Sequence, residues 1–287
     1  MDHSAETMTT ATTTPKISIC VPHWQVIEYI KPCLRSIRKH SPGAGIEVLV
    51  IDNGSRDASL DYLRSLSWIR LIERPEERHT NWPENVFTAW DRGLIEATGE
   101  YYLTMHSDVF VKLDDWLRLL VTALETSPNI AASGTWKLEI ENPLYAAQKR
   151  TFGLVSAGLK RLMGKTPPVG LRQGHYPRDF CALYRRDVLL RHGLTFRCLF
   201  GNRGGGYSIA RQLWEQGYQM GMVPVRDMAR CIEHVAHGTA AVRGEKRLTN
   251  GHTQRKAESK VAGLFAEPWI ESLLTDDSLD GPLTKAA

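Results

Sequence analysis

The sequence lacks the features of a membrane-spanning or disulfide-bonded protein. No apolar run reaches the roughly 18 residues that a transmembrane helix needs. The opening stretch MDHSAETMTTATTTP has neither a basic region nor an apolar core, so we expect no signal peptide and a disordered tail over residues 1–15. The five cysteines form no C-x-x-C pair, which argues against a thiolate zinc site and favours reduced core thiols.

The sequence also has little net charge. The formal charge is +4, with 42% hydrophobic and 24% charged residues, which is ordinary for a globular domain. Acidic and basic residues are mixed along the chain, so we expect no nucleic-acid partner. Reduced cysteines without a signal peptide favour a cytoplasmic location.

Short apolar runs alternate with amphipathic helical patterns from residue 17 onward. ISICVP, IEVLVIDNGS, IRLIER and EYYLTMHSD predict four strands, and helical periodicity separates them. Strands that are apolar throughout are typical of sheets buried on both faces. The pattern therefore predicts an α/β fold with an open, mostly parallel sheet and helices on both faces.

Polar clusters follow three of these strands. They are PHW after the first strand, DNGSRD after the second and HSD after the fourth. Ligands of open α/β sheets bind beyond the carboxyl ends of the strands, so these clusters predict a binding crevice. Asp108, in HSD, interrupts an apolar run, and burying a lone carboxylate is costly unless it is paired or binds a metal.

The pattern is less regular after residue 135. DFCALYRRDVLLRHG predicts a strand and a helix, GNRGGGYSIARQLWEQGY a glycine loop and a helix, and ARCIEHV a late strand. We expect a main domain over residues 16–240, with halves 16–135 and 136–240. Residues 241–287 are predicted to be a charged extension in which VAGLFAEPWIESLL forms a short helix.

These segments together resemble a known family. ISICVPHWQVIEYIKPCLRSI, VLVIDNGSRDAS, FTAWDRGLIEATGEYYLTMHSDV, DWLRLL and CIEHVAHGT are similar to the family 2 glycosyltransferases of the GT-A fold. The resemblance covers about residues 16–240. It implies metal-dependent transfer of a sugar from a nucleotide-diphosphate sugar, UDP by default, to a glycan or lipid-linked glycan hydroxyl, with inversion.

The resemblance also implies residue roles. The aspartate of DNGS contacts the nucleotide base, which is Asp52 here, and the last carboxylate of the DxD motif binds the metal, which is Asp108. A late histidine completes the metal or diphosphate site, and His234 is preferred to His237. Mn²⁺ or Mg²⁺ suits carboxylates and phosphates and neutralises a departing diphosphate.

The predicted donor site includes neighbours of these residues. The donor-binding set is Pro22, His23, Trp24, Asp52, Gly54, Ser55, Arg78, Ser107 and Asp108. Trp24 and Trp136 are candidates to stack on a sugar or base, and Arg78 and Arg203 to contact phosphates.

Two departures from the family pattern matter. His106 stands where DxD has its first acid. The family carries an acid, its general base, before the helix that contains the arginine matched by Arg211, but GNRGGGYSIAR has none. Asp179 is therefore the first candidate for the base, followed by Glu139 and Glu141.

Simpler interpretations remain open. Asp52 and Asp108 would each serve as a turn or helix cap, His234 as a core residue, and Asp179 as a partner of Arg178 or Arg185.

The alternative functions are a non-catalytic nucleotide-sugar or glycan-binding module and a nucleotidyltransferase, although PHWQVIEY lacks the latter's glycine-rich basic loop. The basic residues around FGLVSAGL would suit an anionic membrane surface or a lipid-diphosphate acceptor, although a solvated loop is the preferred interpretation. They are Lys149, Arg150, Lys160, Arg161 and Lys165.

Overall fold

The computed structural model describes residues 17–43, 45–77, 82–139, 162–163, 175–235 and 261–282. The strands in these residues are β1 (Ile17–His23), β2 (Ile46–Asp52), β3 (Arg70–Glu73), β4 (Tyr101–Met105), β5 (Val109–Val111), β6 (Ile130–Gly134), β7 (Cys181–Arg185), β8 (Gln219–Met222) and β9 (Ile232–His234). The helices are α1 (Ile27–Lys39), α2 (Ala58–Ser65), α3 (Trp82–Glu96), α4 (Trp116–Glu125), α5 (Arg186–Arg191), α6 (Gly206–Glu215), α7 (Val225–Cys231) and α8 (Pro268–Thr275), with a 3₁₀ turn at Asp277–Asp280.

The large sheet has the strand order β3-β2-β1-β4-β7-β6-β8. The strands β3, β2, β1 and β4 are mutually parallel, β6 and β8 are parallel, and β7 runs antiparallel to both β4 and β6. The predicted open, mostly parallel sheet is confirmed. A second sheet pairs β5 with β9 in antiparallel register.

Apolar side chains on both faces of the sheet explain why its strands lack polar alternation. On one face, Ile19 and Val21 of β1 pack with α1 and α4; on the other, Cys20 packs with Trp90 of α3. All seven residues of β1 are buried, because helices cover both sides. The predicted placement of helices on both faces is confirmed.

One predicted element was wrong. ARCIEHV was interpreted as a strand, but α7 continues to Cys231 and only Ile232–His234 is extended. Cys231 and Ile232 are both buried, so the apolar run is compatible with either conformation. A short apolar run does not by itself distinguish a buried helix from a buried strand.

The C-terminal segment is anchored on α1. The fully buried guanidinium of Arg35 donates to the carbonyls of Leu273 at 2.8 Å and Leu274 at 2.7 Å, at the end of α8. It also pairs with Asp277 and Asp280, so the last turn of α8 and the 3₁₀ turn share one cation. In the described residues, no helix is long and apolar enough to cross a membrane.

Candidate active site

The strand ends converge as the sequence predicted. β1 and β2 pair in parallel with Pro22 opposite Ile51 and His23 opposite Asp52, so both strands end at one edge. β4, on the other side of β1, ends at Met105, and His106 follows it. Three polar clusters that are far apart in the sequence therefore lie at the same end of the sheet, where open α/β sheets bind their ligands.

Asp52 has two carboxylate oxygens in different environments. Oδ2 accepts hydrogen bonds from the backbone N–H groups of Gly54 at 3.1 Å and Ser55 at 2.9 Å. Oδ1 is buried and has no hydrogen-bond donor among the described residues. Burial raises the pKa of Asp52, and the hydrogen bonds from Ser55 and Gly54 oppose that shift. The turn-capping interpretation thus accounts for one oxygen and leaves the other for a ligand.

Gly54 allows this turn to close. Its φ is 76°, in the left-handed region, and a Cβ there would lie 3.0 Å from the carbonyl oxygen of Glu77. A larger residue would strain the backbone and press on the loop after β3. The structure gives Gly54 a conformational role within the predicted donor site.

Other predicted donor-site residues have structural partners. His23 Nε2 lies 2.8 Å from Ser59 Oγ, and burial lowers the pKa of His23 to about 4. Ser55 Oγ accepts from the backbone N–H of Gln25 at 2.7 Å, and Pro22 lies inside β1. Trp24 is half-buried at the end of β1, whereas Arg78 lies outside the described residues.

The loop after β1 carries backbone strain that the sequence did not reveal. Gln25 and Val26 have φ values of 54° and 66°, which is rare for non-glycine residues and especially for a β-branched one. Val26 N–H donates to Asp57 Oδ2 at 3.2 Å, and this bond, with the one to Ser55, holds the loop. Strained residues of this kind concentrate at binding sites.

A second group of side chains consists of His106, Asp108 and His234. Asp108 Oδ1 lies 3.3 Å from His234 Nε2 and 3.8 Å from His106 Nδ1, and the candidate ligand atoms all lie within 4.8 Å of one another. Pairing of β5 with β9 creates this group, because Val109 lies opposite His234 and Val235 N–H donates to Asp108 O at 3.0 Å. His237, the other predicted histidine, lies outside the described residues.

Aromatic rings hold the two imidazoles. His106 stacks on the buried Trp90 with 5.5 Å between ring centroids, and His234 stacks on Phe180 at 4.8 Å. Burial lowers the pKa of His106, which favours the neutral, metal-binding form. The sequence analysis noted only that His106 replaces the first acid of the DxD motif. It did not consider that an imidazole two residues before Asp108 is itself a candidate metal ligand.

This donor set fits a divalent cation. Two imidazole nitrogens and one carboxylate oxygen leave several coordination positions for water or phosphate oxygens. Magnesium prefers an all-oxygen shell, so the imidazoles favour Mn²⁺ over Mg²⁺. Ser107 is half-buried between two of these residues.

Asp179 lies just before β7 and reaches the glycine loop. Its Oδ2 accepts a hydrogen bond from Gly206 N–H at 2.9 Å, and a Cβ on Gly205 would lie 2.4 Å from that oxygen. The charge of Asp179 also raises the pKa of His106, although burial, which lowers it, and Asp108, which raises it, have larger effects. Arg185 instead donates to Ile130 O and Leu124 O, so the proposed pairing of Asp179 with Arg185 was wrong.

The remaining candidates lie elsewhere or are not described. Glu139 is exposed, and Trp136 stacks on His175 with centroids 4.1 Å apart. Glu141 and the basic stretch around FGLVSAGL lie outside the described residues.

Comparison with known proteins agrees with this geometry. The model of the family described as "Glycosyl transferase family 2" matches residues 18–193. The chain belongs to this family. The recognition made from the sequence is thereby confirmed.

Relatives and solved structures support the same family and fold. An uncharacterized glycosyltransferase of Haemophilus influenzae is 29% identical over 126 residues, 44% of this chain and 38% of the relative. The uncharacterized glycosyltransferase EpsJ of Bacillus subtilis is 24% identical over 191 residues, 63% of this chain and 51% of the relative. The chain thus spans about half or less of these relatives' lengths.

A solved mannosyltransferase from Pyrobaculum calidifontis, in complex with GDP-Man and Mn²⁺, has a similar fold. It is 19% identical, with a TM-score of 0.52 over 95% of this chain and 77% of that one. The fold is therefore GT-A, as expected.

Proposed function

We propose that this protein transfers a sugar from a nucleotide-diphosphate sugar to a hydroxyl acceptor in a metal-dependent, inverting reaction. The observation that carries the proposal is that the same end of the sheet holds both the His106–Asp108–His234 group and the buried Asp52 Oδ1. Family 2 membership supports the reaction class.

We assign the diphosphate to the side of the crevice formed by His106, Asp108 and His234. A divalent cation bound there would neutralise diphosphate charge and act as a Lewis acid for the leaving group. The protein contributes a carboxylate and two imidazoles that Trp90 and Phe180 hold in place. We take Mn²⁺ as the physiological ion and Mg²⁺ as the weaker alternative.

We assign the nucleotide base to Asp52. A buried carboxylate oxygen without a donor is a strong acceptor for an N–H group, and both uracil and guanine present one. UDP is the proposed nucleotide because of the family resemblance. Trp24, at the end of β1, would then border the base or ribose.

We propose Asp179 as the general base. Its carboxylate takes the proton of the acceptor hydroxyl while that oxygen bonds to the anomeric carbon. The bond between the anomeric carbon and the diphosphate oxygen breaks, and the diphosphate leaves with the electron pair. A single displacement of this kind inverts the anomeric configuration. The acceptor is proposed to be a glycan or a lipid-linked glycan, and the location to be cytoplasmic.

The test is a panel of nucleotide sugars with the full chain and Mn²⁺. Isothermal titration calorimetry measures donor binding, and release of the nucleoside diphosphate measures hydrolysis or transfer. We expect Asp108→Asn to abolish Mn²⁺-dependent binding, because it removes the ligand charge and keeps the shape. Asp61→Asn, at an exposed position of α2, is the matched control.

Three results would count against the proposal. If Asp108→Asn bound the donor as tightly as the wild type, Asp108 would not be a metal ligand. Donor binding without turnover on any acceptor would favour a non-catalytic binding module, and no donor binding at all would reject the function.

A further inference from the structure

A cleft of about 400 Å³ opens beside Asp179. Tyr176, Arg178, Asp179, Arg203, Gly204 and Tyr207 line it. Its walls come from the segment before β7 and from the glycine loop before α6. The volume exceeds that of a hexose, so a sugar-sized molecule fits.

The cleft carries an excess of positive charge. Arg178 and Arg203 are exposed, and neither forms an ion pair with a carboxylate within the described ranges. Two guanidinium groups therefore face one carboxylate, that of Asp179. Guanidinium groups bind phosphates and carboxylates with paired, charge-assisted hydrogen bonds, so an anionic ligand suits this surface.

Aromatic rings form the other part of the wall. Tyr176 and Tyr207 meet edge to face with centroids 5.7 Å apart, and the guanidinium of Arg203 lies 5.3 Å from the Tyr207 ring. Trp214 packs against Tyr176 from α6. Burial raises the pKa of Tyr176, while Arg178 and Arg203 oppose the shift, which shows that these groups act on one another. The Tyr176 phenol therefore remains protonated and available to a sugar hydroxyl.

One short segment of the chain links the cleft to the candidate active site. Asp179 lines the cleft, and the next residue, Phe180, stacks on His234. The carbonyl of Phe180 also accepts from His106 N–H at 3.0 Å. A molecule in the cleft would thus have a hydroxyl near Asp179, on the cleft side of the His106–Asp108–His234 group.

We propose that this cleft binds the acceptor, and that the acceptor carries a phosphate or carboxylate group that Arg178 and Arg203 bind. The inference rests on the proposed function, since it identifies the second substrate of the same reaction. The anionic group anchors the acceptor, and the tyrosines contact its sugar-like part. Asp179 then receives the proton of a hydroxyl held between them.

The experiment uses the full chain saturated with Mn²⁺ and UDP, so that the metal and donor sites are occupied. Calorimetric titrations compare glucose 6-phosphate, glucuronate and glucose, which share a ring and differ in the anionic group. We expect one or both anions to bind about tenfold or more tightly than glucose. A preference between the two anions identifies the group that the acceptor carries.

Variants locate the binding. Arg178→Gln and Arg203→Gln should each weaken binding of the preferred anion about tenfold, the cost of a lost charge-assisted hydrogen bond. Arg226→Gln, an exposed arginine of α7 outside the cleft, is the matched control and should bind normally. Arg178→Gln and Arg226→Gln should bind UDP with Mn²⁺ like the wild type.

Two outcomes would overturn the inference alone. Anions that bind no more tightly than glucose would exclude an anionic acceptor, and unchanged binding by both glutamine variants would exclude this cleft. Failure of the wild type to bind any nucleoside diphosphate of the donor panel with Mn²⁺ would instead reject the proposed function, so the two failures are distinguishable.

Discussion

Asp179 accepts a hydrogen bond from the backbone N–H of Gly206 at 2.9 Å and thereby ties the segment before β7 to the first residue of α6. The helix lacks an acid of its own at this end, and a carboxylate from another segment lies there instead. Gly205, with φ at 62°, leaves the space that this carboxylate fills. Asp179 thus lies at the start of α6, where the glycine loop has no acid of its own, and for this reason we propose it as the base.

Asp179→Asn should lower turnover about 10²–10⁴-fold, the usual contribution of a general base. Asparagine keeps an oxygen for the Gly206 N–H, so the fold and donor binding should stay near normal. Steady-state transfer kinetics and donor calorimetry check both points. Asp61→Asn, at an exposed acid of α2, is the control. Normal turnover of Asp179→Asn would place the base elsewhere.

His106→Asp should shift the metal preference of the site from Mn²⁺ toward Mg²⁺. The change replaces an imidazole nitrogen by carboxylate oxygen, and Mg²⁺ prefers oxygen ligands. The measurement is UDP affinity as a function of each metal ion. His106→Phe, which preserves an aromatic ring on Trp90 and removes the ligand, should weaken binding with both ions. Unchanged affinities in both variants would show that His106 does not bind the metal.

Asp52→Asn should weaken UDP binding by about 1–3 kcal/mol, because the charge-assisted hydrogen bond of Oδ1 is lost. Asparagine can still accept a turn hydrogen bond from Ser55, so thermal stability should change little. Calorimetry with UDP and Mn²⁺ measures the effect, and Asp61→Asn again serves as the exposed control. If Asp52→Asn bound UDP as tightly as the wild type, Asp52 would only stabilise the turn and would not contact the nucleotide.

Arg35→Met should destabilise the protein by about 1–3 kcal/mol, the cost of leaving buried hydrogen-bonding groups without their partner. The variant leaves the carbonyls of Leu273 and Leu274 and two carboxylates without their shared cation. Urea unfolding measures the change in the free energy of unfolding. Lys39→Met, at an exposed position of the same helix, should stay within about 0.5 kcal/mol of the wild type; equal effects of the two variants would contradict the anchoring role.

The C-terminal segment also packs close to the strand that positions Asp108. Phe265 meets Tyr29 of α1 at 5.7 Å and Phe110 of β5 at 6.3 Å between ring centroids. Phe110 is two residues from Asp108, so the segment packs behind the strand that positions this carboxylate. Sequence patterning indicated a helix within VAGLFAEPWIESLL, where α8 lies, but not what it would contact.

Local sequence determined the sheet and the end of it at which the polar clusters lie. Continuous apolar runs separated by helical periodicity dictate buried parallel strands, and polar clusters such as DNGSRD and HSD must then meet at the strand ends. The positions of Asp52 and Asp108 at strand ends were therefore predictable without coordinates, whereas their roles in base and metal binding are proposals that the family resemblance supplied.

Only the tertiary structure decided which distant groups meet. His234 joins His106 and Asp108 through the pairing of β9 with β5, and Asp179 meets Gly206 across a loop. Such contacts depend on how the elements pack, and no local periodicity encodes them. The positive φ of Val26 is likewise held by hydrogen bonds to residues after β2, against the preference of a β-branched side chain. Packing, not propensity, decides conformation and ligand geometry at these positions.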